Sequence, residues 1–213
     1  MNIILHQEDI KNIIVKLDDV FKKEKDFLNE LDSKIGDGDH GLTMSRGTSA
    51  IAQYLEEYPD LKISDILIKG GIRFNEMTGS TIGILIFSAM RAAGLAIKEK
   101  ESIDMKDMQK MLQDSIQAIE KRGKASKGQK TILDSLIPAL ESLEENNNET
   151  DDISTIKRMI KNAYDGAEST KNLESQIGRA KWFKNRSMSV MDPGAYTGYL
   201  ILKTIGDYIL KNQ

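Results

Sequence analysis

The sequence predicts an all-α fold of eight helices, with antiparallel neighbours in a bundle or closed ring. Three observations carry this. Apolar residues recur at three- and four-residue steps through most of the chain, as they do in helices with one buried face. Three prolines, 16 glycines and 6% aromatics favour helices over a many-stranded sheet. The connections between periodic segments are short, and short connections make successive helices run antiparallel. No stretch reads convincingly as a strand. The 213 residues suffice for one domain with a sizeable core, expected to span 1–213.

The helices follow in order. Ile10, Ile13, Ile14, Leu17, Phe21, Leu28 and Leu31 place the first at about residues 7–30. An Asp/Gly stretch ends it, and the second runs from about Leu42 to Glu57, stopping before Pro59. Ser64 is the expected cap of a third helix, which carries Ile66, Leu67 and Ile68 through Gly70-Gly71 towards Met77. After the polar break Thr78-Gly79-Ser80-Thr81 comes the most apolar segment, expected to be the most buried helix. Asp104 caps the fifth, with Met105, Met108, Met111, Leu112, Ile116 and Ile119 expected inward as core filler. A basic loop, Lys121 to Lys130, leads to a sixth helix over about Thr131 to Leu143. Glu144 to Asp152 reads as an exposed loop, and a seventh helix covers about Ile153 to Ser169. Gln176 to Val190 lacks a period and reads as an ordered loop holding Arg179, Lys181, Trp182, Lys184 and Arg186. Asp192 as cap and Pro193 as first residue open the last helix, which runs to about Leu210.

Composition excludes several functions. Lys+Arg 30 against Asp+Glu 33 leaves a formal charge of −3, without the field of a nucleic-acid binder. Zero cysteines rules out disulfides, thiolate metal sites and thiol catalysis. The start is too short and too charged for a signal peptide. The segment from Ile82 to Ile97 is too short and too interrupted to span a bilayer. The expectation is a soluble, cytoplasmic chain with no membrane contact.

The chemistry concentrates in Asp32-Ser33-Lys34-Ile35-Gly36-Asp37-Gly38-Asp39-His40-Gly41. Carboxylate oxygens are the ligands Mg²⁺ and Ca²⁺ prefer, and interleaved glycines let the backbone turn tightly around an ion or phosphate. A solvated acidic turn is the plain alternative. In an up-and-down arrangement the first, third, fifth and seventh connections lie at one end. That would gather Asp32, Asp37 and Asp39, the Thr78–Thr81 break, the basic loop and the Arg179–Gly194 segment. Metal ligands, two helix N-termini with free N–H groups, and cations such as Lys124, Lys130 and Arg179 suggest phosphate chemistry with Mg²⁺. There is no Walker-type loop, kinase-type catalytic set or EF-hand spacing. His6 reads as a surface residue, and Trp182 either packs its loop or stacks on a base.

Four blocks carry a resemblance: Asp32 to Gly47, Arg122 to Pro138, Ile177 to Ala180 (I-G-R-A) and Asp192 to Ala195 (D-P-G-A). In order and spacing the chain resembles the ADP-binding L subunits of dihydroxyacetone kinases, the DhaL family. The resemblance implies an eight-helix up-and-down barrel with ADP, or ATP as its phosphorylated form, and two Mg²⁺ in the loops at one end. By the same resemblance Asp32, Asp37 and Asp39 chelate the metal. His40, Gly41, Leu42, Thr43, Thr78, Gly79, Gly123, Ile132, Arg179, Asp192, Pro193 and Gly194 contact the nucleotide. No catalytic residue of this chain is implied, because in the family the hydroxyketone is held on a separate K subunit.

A standalone L subunit most resembles the bacterial phosphotransferase-dependent type. There a phosphohistidine partner rephosphorylates bound ADP, and the phosphoryl group passes on to dihydroxyacetone. The alternatives are an ATP-dependent hydroxyketone kinase subunit with exchangeable ATP, and a nucleotide-loaded regulatory subunit that binds a transcription factor. A homodimer is compatible with each. A fatty-acid kinase nucleotide domain fits less well, because those resemble Asp-Gly-Asp-Thr-Gly where this chain has His40. The chain departs from the family at Thr43, usually Asn, and at Thr78-Gly79-Ser80-Thr81, usually a Ser-Gly-Pro-Leu-like turn. A paralogue acting on another hydroxyketone, such as a four-carbon sugar, would account for both.

Overall fold

The computed structural model describes residues 3–144, 151–178, 181–182 and 187–212. Among these the chain is all-α, with eight α-helices: α1 Gln7–Ser33, α2 His40–Glu57, α3 Ile63–Thr78, α4 Thr81–Ala96, α5 Met105–Gly123, α6 Leu133–Glu144, α7 Asp152–Ser169 and α8 Pro193–Asn212. A 3₁₀ turn, Thr170–Asn172, follows α7. Two short strands, β1 Ile4–His6 and β2 Ser102–Asp104, pair antiparallel. That ladder corrects the expectation of no strand. Three residues are too few to display an alternating pattern, and only the distant partner makes them a ladder.

The residues fall into two compact units. The first comprises Met1–Lys23 and Thr43–Gly123. In it Ile10, Ile13, Ile14, Leu17 and Phe21 are buried along the N-terminal part of α1, as their spacing requires. The carboxylate of Asp18, also buried, receives the Ser49 hydroxyl at 2.6 Å and pairs with Lys22 at 2.7 Å. A buried charge is stable only with such partners. α3 packs on α4, and α4 on α5. A Cβ on Gly47 would lie 2.3 Å from the ring of Phe74, so this glycine lets the two helices approach.

Several expected details of this unit change. Ser64 is buried inside α3; the preceding Lys62 is the N-cap and offers no side-chain bond. In α5 only Ile116 and Ile119 are fully buried, while Met105, Met108, Met111 and Leu112 are half-buried. α4 likewise buries only Gly83, Ile86, Ala93 and Gly94 completely. Asp104 does cap α5. Its carboxylate accepts from Asp107 N at 2.8 Å, and its own N–H donates to Asp107 at 3.2 Å, a reciprocal capping box.

The second unit comprises Glu24–Leu42 and Lys124–Gln213. Here α6, α7 and α8 pack on one another. Small residues set the spacing: a Cβ on Gly198 would meet the Ser135 hydroxyl at 2.2 Å, and one on Gly206 would meet Ile160 at 2.6 Å. Pro138 lies inside α6 and has no N–H to give the carbonyl of Asp134, one turn earlier. Gly166 of α7 comes up against that same carbonyl, so close that a Cβ there would be 2.1 Å from it. α7 begins with Asp151 as cap, accepting from Ser154 N at 2.8 Å. Most of the expected loop after Glu144, residues 145–150, lies outside the described residues, as do Lys184 and Arg186.

Candidate metal and nucleotide site

The last turn of α1 brings Asp32 to the edge of the second unit. Leu31 and Ile35 are buried on either side of it and pin the helix end. The chain then folds back on Asp32: Ile35 N and Gly36 N donate to its carbonyl at 2.9 and 2.5 Å. Gly38 N and Asp39 N donate to its Oδ2 at 2.8 and 3.1 Å. Gly38 has φ +78°, the left-handed backbone that favours glycine, and a Cβ on Gly36 would lie 2.3 Å from Asp32 Oδ1. The turn therefore wraps the Asp32 carboxylate. Its result is that one carboxylate oxygen from each of Asp32, Asp37 and Asp39 lies within 4.8 Å of the others. Asp32 is half-buried and the other two are exposed. Three acids on a backbone this tightly turned suit a hard divalent cation.

α2 starts directly after these acids. A Cβ on Gly41 would lie 2.0 Å from the Lys25 carbonyl, so the first turn of α2 runs against the backbone of α1 where only glycine fits. Asn29 Oδ1 accepts from Leu42 N at 3.1 Å. His40 Nε2 lies 2.8 Å from Thr197 Oγ1 of α8. Burial brings the His40 pKa down to about 4, so the ring is neutral near pH 7.

At the start of α8, Asp192 is the cap. Its Oδ2 accepts from Ala195 N at 2.7 Å, and its N–H donates to Thr170 Oγ1 at 2.9 Å. Burial outweighs those amide donors and pushes its carboxyl up to about 7. Pro193 occupies the first helical position, and Gly194 admits Ile132, whose N would lie 3.3 Å from a Cβ placed there. Leu31 packs with Met191 and Ala195, which sets the acidic turn beside this helix start. Asp32, Asp37, Asp39, His40, Gly41, Leu42, Ile132, Asp192, Pro193 and Gly194 thus belong to one neighbourhood of the second unit.

The remaining expected contacts are Thr43, Thr78, Gly79, Gly123 and Arg179. Arg179 is outside the described residues. Thr43, Thr78, Gly79 and Gly123 belong to the first unit. There Thr43 is buried and Gly123 is the last residue of α5. Thr78 donates to the Phe74 carbonyl at 2.9 Å, and Gly79, at φ +53°, ends α3 in the left-handed conformation. Ser80 then caps α4, accepting from Gly83 N at 3.1 Å. The altered Thr78–Thr81 turn is thus a compact C-cap joined to an N-cap. At both helix starts one amide is taken by the helix's own cap: Gly83 N donates to Ser80 and Ala195 N to Asp192.

A correction concerns Lys130, expected to be a cation of the pocket. It is 3% exposed, and its ammonium is held by backbone carbonyls, unavailable to a phosphate. Lys124 is exposed. Trp182 neither packs nor hides: it is 77% exposed, with Lys181 Nζ 5.0 Å from the ring centroid. The sequence reading also missed Asn29, Thr197 and Asp134. Asp134 accepts from Gly128 N at 2.5 Å and Thr131 N at 2.7 Å and so shapes the turn before α6. An acid three residues after Thr131, at a helix start, was the available signal.

The DAK2 domain family model matches residues 34–207. The chain belongs to the DAK2 domain family. Among DAK2 relatives, it is 31% identical over 192 residues to the ADP-binding subunit DhaL of the PEP-dependent dihydroxyacetone kinase of Escherichia coli strain K12, covering 90% of this chain and 91% of that one. A putative 3,4-dihydroxy-2-butanone kinase of Solanum lycopersicum is 38% identical over 176 residues, 80% of this chain but 30% of the plant protein. The DAK2 chain also superimposes on the dihydroxyacetone kinase of C. freundii with a TM-score of 0.72 at 23% identity, covering 93% of this chain and 34% of that kinase. That similarity establishes the shared fold.

Proposed function

We propose that this chain is the nucleotide-holding subunit of a phosphotransferase that acts on dihydroxyacetone or a related small hydroxyketone. The observation that carries the reading is the convergence of Asp32, Asp37 and Asp39 oxygens within 4.8 Å, beside the capped start of α8. Similarity at 31% over nearly the full length of an ADP-binding subunit supports it. In this reading the three aspartates hold two Mg²⁺. His40, Gly41, Leu42, Ile132, Asp192, Pro193 and Gly194 hold ADP or ATP. Thr43, Thr78, Gly79, Gly123 and Arg179 are nucleotide contacts by resemblance to the family.

Bound Mg²⁺ would supply charge neutralisation for the phosphates. The chain's own residues position. The turn from Gly36 to Asp39 keeps the carboxylates pointed together, neutral His40 adds no competing positive charge, and Ile132 against Gly194 gives the pocket an apolar wall. The hydroxyketone sits on a separate K subunit, and a phosphohistidine protein recharges ADP in place. The alternative donor is exchangeable ATP. A regulatory role through a transcription factor would be a second use of the same loaded subunit.

Calorimetry with ADP, with and without Mg²⁺, tests the reading. Mg²⁺-dependent ADP binding is expected, and Asp37→Asn or Asp39→Asn should weaken it by more than about ten-fold, with helicity unchanged. Absence of ADP binding in the presence of Mg²⁺ sinks the proposal. Assays with candidate K subunits, supplied with either ATP or a phosphohistidine protein, then separate the two donors. The chain alone should not phosphorylate dihydroxyacetone.

A further inference from the structure

Lys130 is a buried lysine with no carboxylate at ion-pair distance among the described residues. Its Nζ donates to the carbonyls of Thr170 at 2.7 Å, Leu173 at 3.2 Å, Ser187 at 2.6 Å and Val190 at 2.6 Å. An ammonium has three protons, so four acceptors exceed its donors and surround the charge. The four carbonyls come from the two ends of one connection, Thr170–Leu173 just after α7 and Ser187–Val190 just before α8. A single cation thus clamps the ends of that segment together.

Neighbouring bonds extend the clamp. Ser189 N donates to the Lys171 carbonyl at 2.8 Å, Ser175 N to Ser187 Oγ at 3.1 Å, and Gln176 N to the Gln129 carbonyl at 3.4 Å. Lys130 itself stands at φ +61°, a conformation unfavourable for a side-chain-bearing residue, which its surroundings must over-determine. Thr170 transmits the arrangement: its carbonyl takes the ammonium, and its hydroxyl takes the N–H of Asp192. Burial pulls the lysine pKa down, while the negative fields of Asp192 and Asp134 oppose that pull and favour the ammonium.

We propose that Lys130 is a positioning residue for the nucleotide site: its ammonium fills a cage of backbone carbonyls and, through Thr170, sets the Asp192–Gly194 turn in its binding geometry. This rests on the nucleotide reading of that turn. Two variants test it. Lys130→Met keeps the stem and removes the charge. Thr170→Val keeps the cage carbonyl and removes the hydroxyl, which accepts from the Asp192 N–H and donates to the Ala167 carbonyl at 2.6 Å.

Both are measured at low temperature, with circular dichroism to establish that they are folded, by Mg–ADP calorimetry and by hydrogen exchange at the Asp192 amide. The expected result is about ten-fold weaker ADP binding and faster Asp192 exchange in each variant, with parental helicity. A purely structural lysine would lower the melting temperature and leave ADP affinity of the folded protein unchanged. Methylammonium added to Lys130→Gly, which leaves the cage open, should restore affinity in part. Parental affinity and exchange in folded Lys130→Met overturn the proposal. If that variant does not fold, parental values in Thr170→Val overturn it. Failure of the parent itself to bind Mg–ADP would defeat the nucleotide reading, and Asp192 exchange would still report on the clamp.

Discussion

At Gly36 the acidic turn tolerates no side chain, because a Cβ would sit 2.3 Å from Asp32 Oδ1. Asp32 cannot swing aside without giving up the amides of Gly38 and Asp39. Gly36→Ala should therefore weaken Mg–ADP binding by about ten-fold or more, although no ligand is removed. Titration calorimetry beside the Asp37→Asn variant checks this. Asp192 carries a different signature. Its folded pKa of about 7 lies above its ordinary 3.8, so the folded protein holds this proton more tightly than the unfolded chain does. Its contribution to stability is complete below about pH 4 and is lost as the pH rises through 7, by roughly 1–4 kcal/mol. Asp192→Asn keeps a cap acceptor and should flatten that part of the curve in denaturant titrations from pH 4 to 8. The acidic turn is legible in the sequence because its residue types are themselves the chemistry. Lys130 is not, because a lysine closing a basic loop reads as solvated until the carbonyls of Thr170, Ser187 and Val190 are known to surround it.

Helices are the elements the sequence specifies best. The period of Ile10 to Phe21 places α1, and Asp104, Asp192 and Pro193 mark helix starts through chemistry that acts within three residues. Ser64 misleads because a serine near a helix start is a cap only if the backbone leaves it there, and here the helix begins one residue earlier. Contacts between helices are less legible. Nothing in the sequence around Pro138 says that the carbonyl left without an N–H will face the Cα of Gly166. Gly166→Ala drives a methyl into backbone rather than into a yielding side chain, and should cost at least about 1–3 kcal/mol. Ser80→Ala, which loses one cap bond, should cost about 0.5–2 kcal/mol. Thermal unfolding of both variants checks these values, and a loss well below about 1 kcal/mol for Gly166→Ala would contradict the close approach.

For the whole molecule, periodicity and short connections are enough to read the all-α class, and the DAK2 match over 34–207 agrees with the resemblance drawn from four short blocks. No helix among the described residues is long and apolar enough to cross a membrane. The β1–β2 ladder stayed hidden because it depends on a pairing no local pattern encodes. It also bears on how the chain assembles. Ile4 pairs with Asp104, so the ladder closes only after the intervening chain has been brought round, whereas helices form from neighbours. It should therefore be a late event, absent from the rate-limiting barrier. Deleting residues 1–6 should speed unfolding and leave the refolding rate nearly unchanged, which stopped-flow measurements across a denaturant series would resolve. Slower refolding in the truncated chain would place the ladder in the nucleus instead. A late-closing ladder acts as a latch, setting how long the native state persists rather than how quickly it is reached.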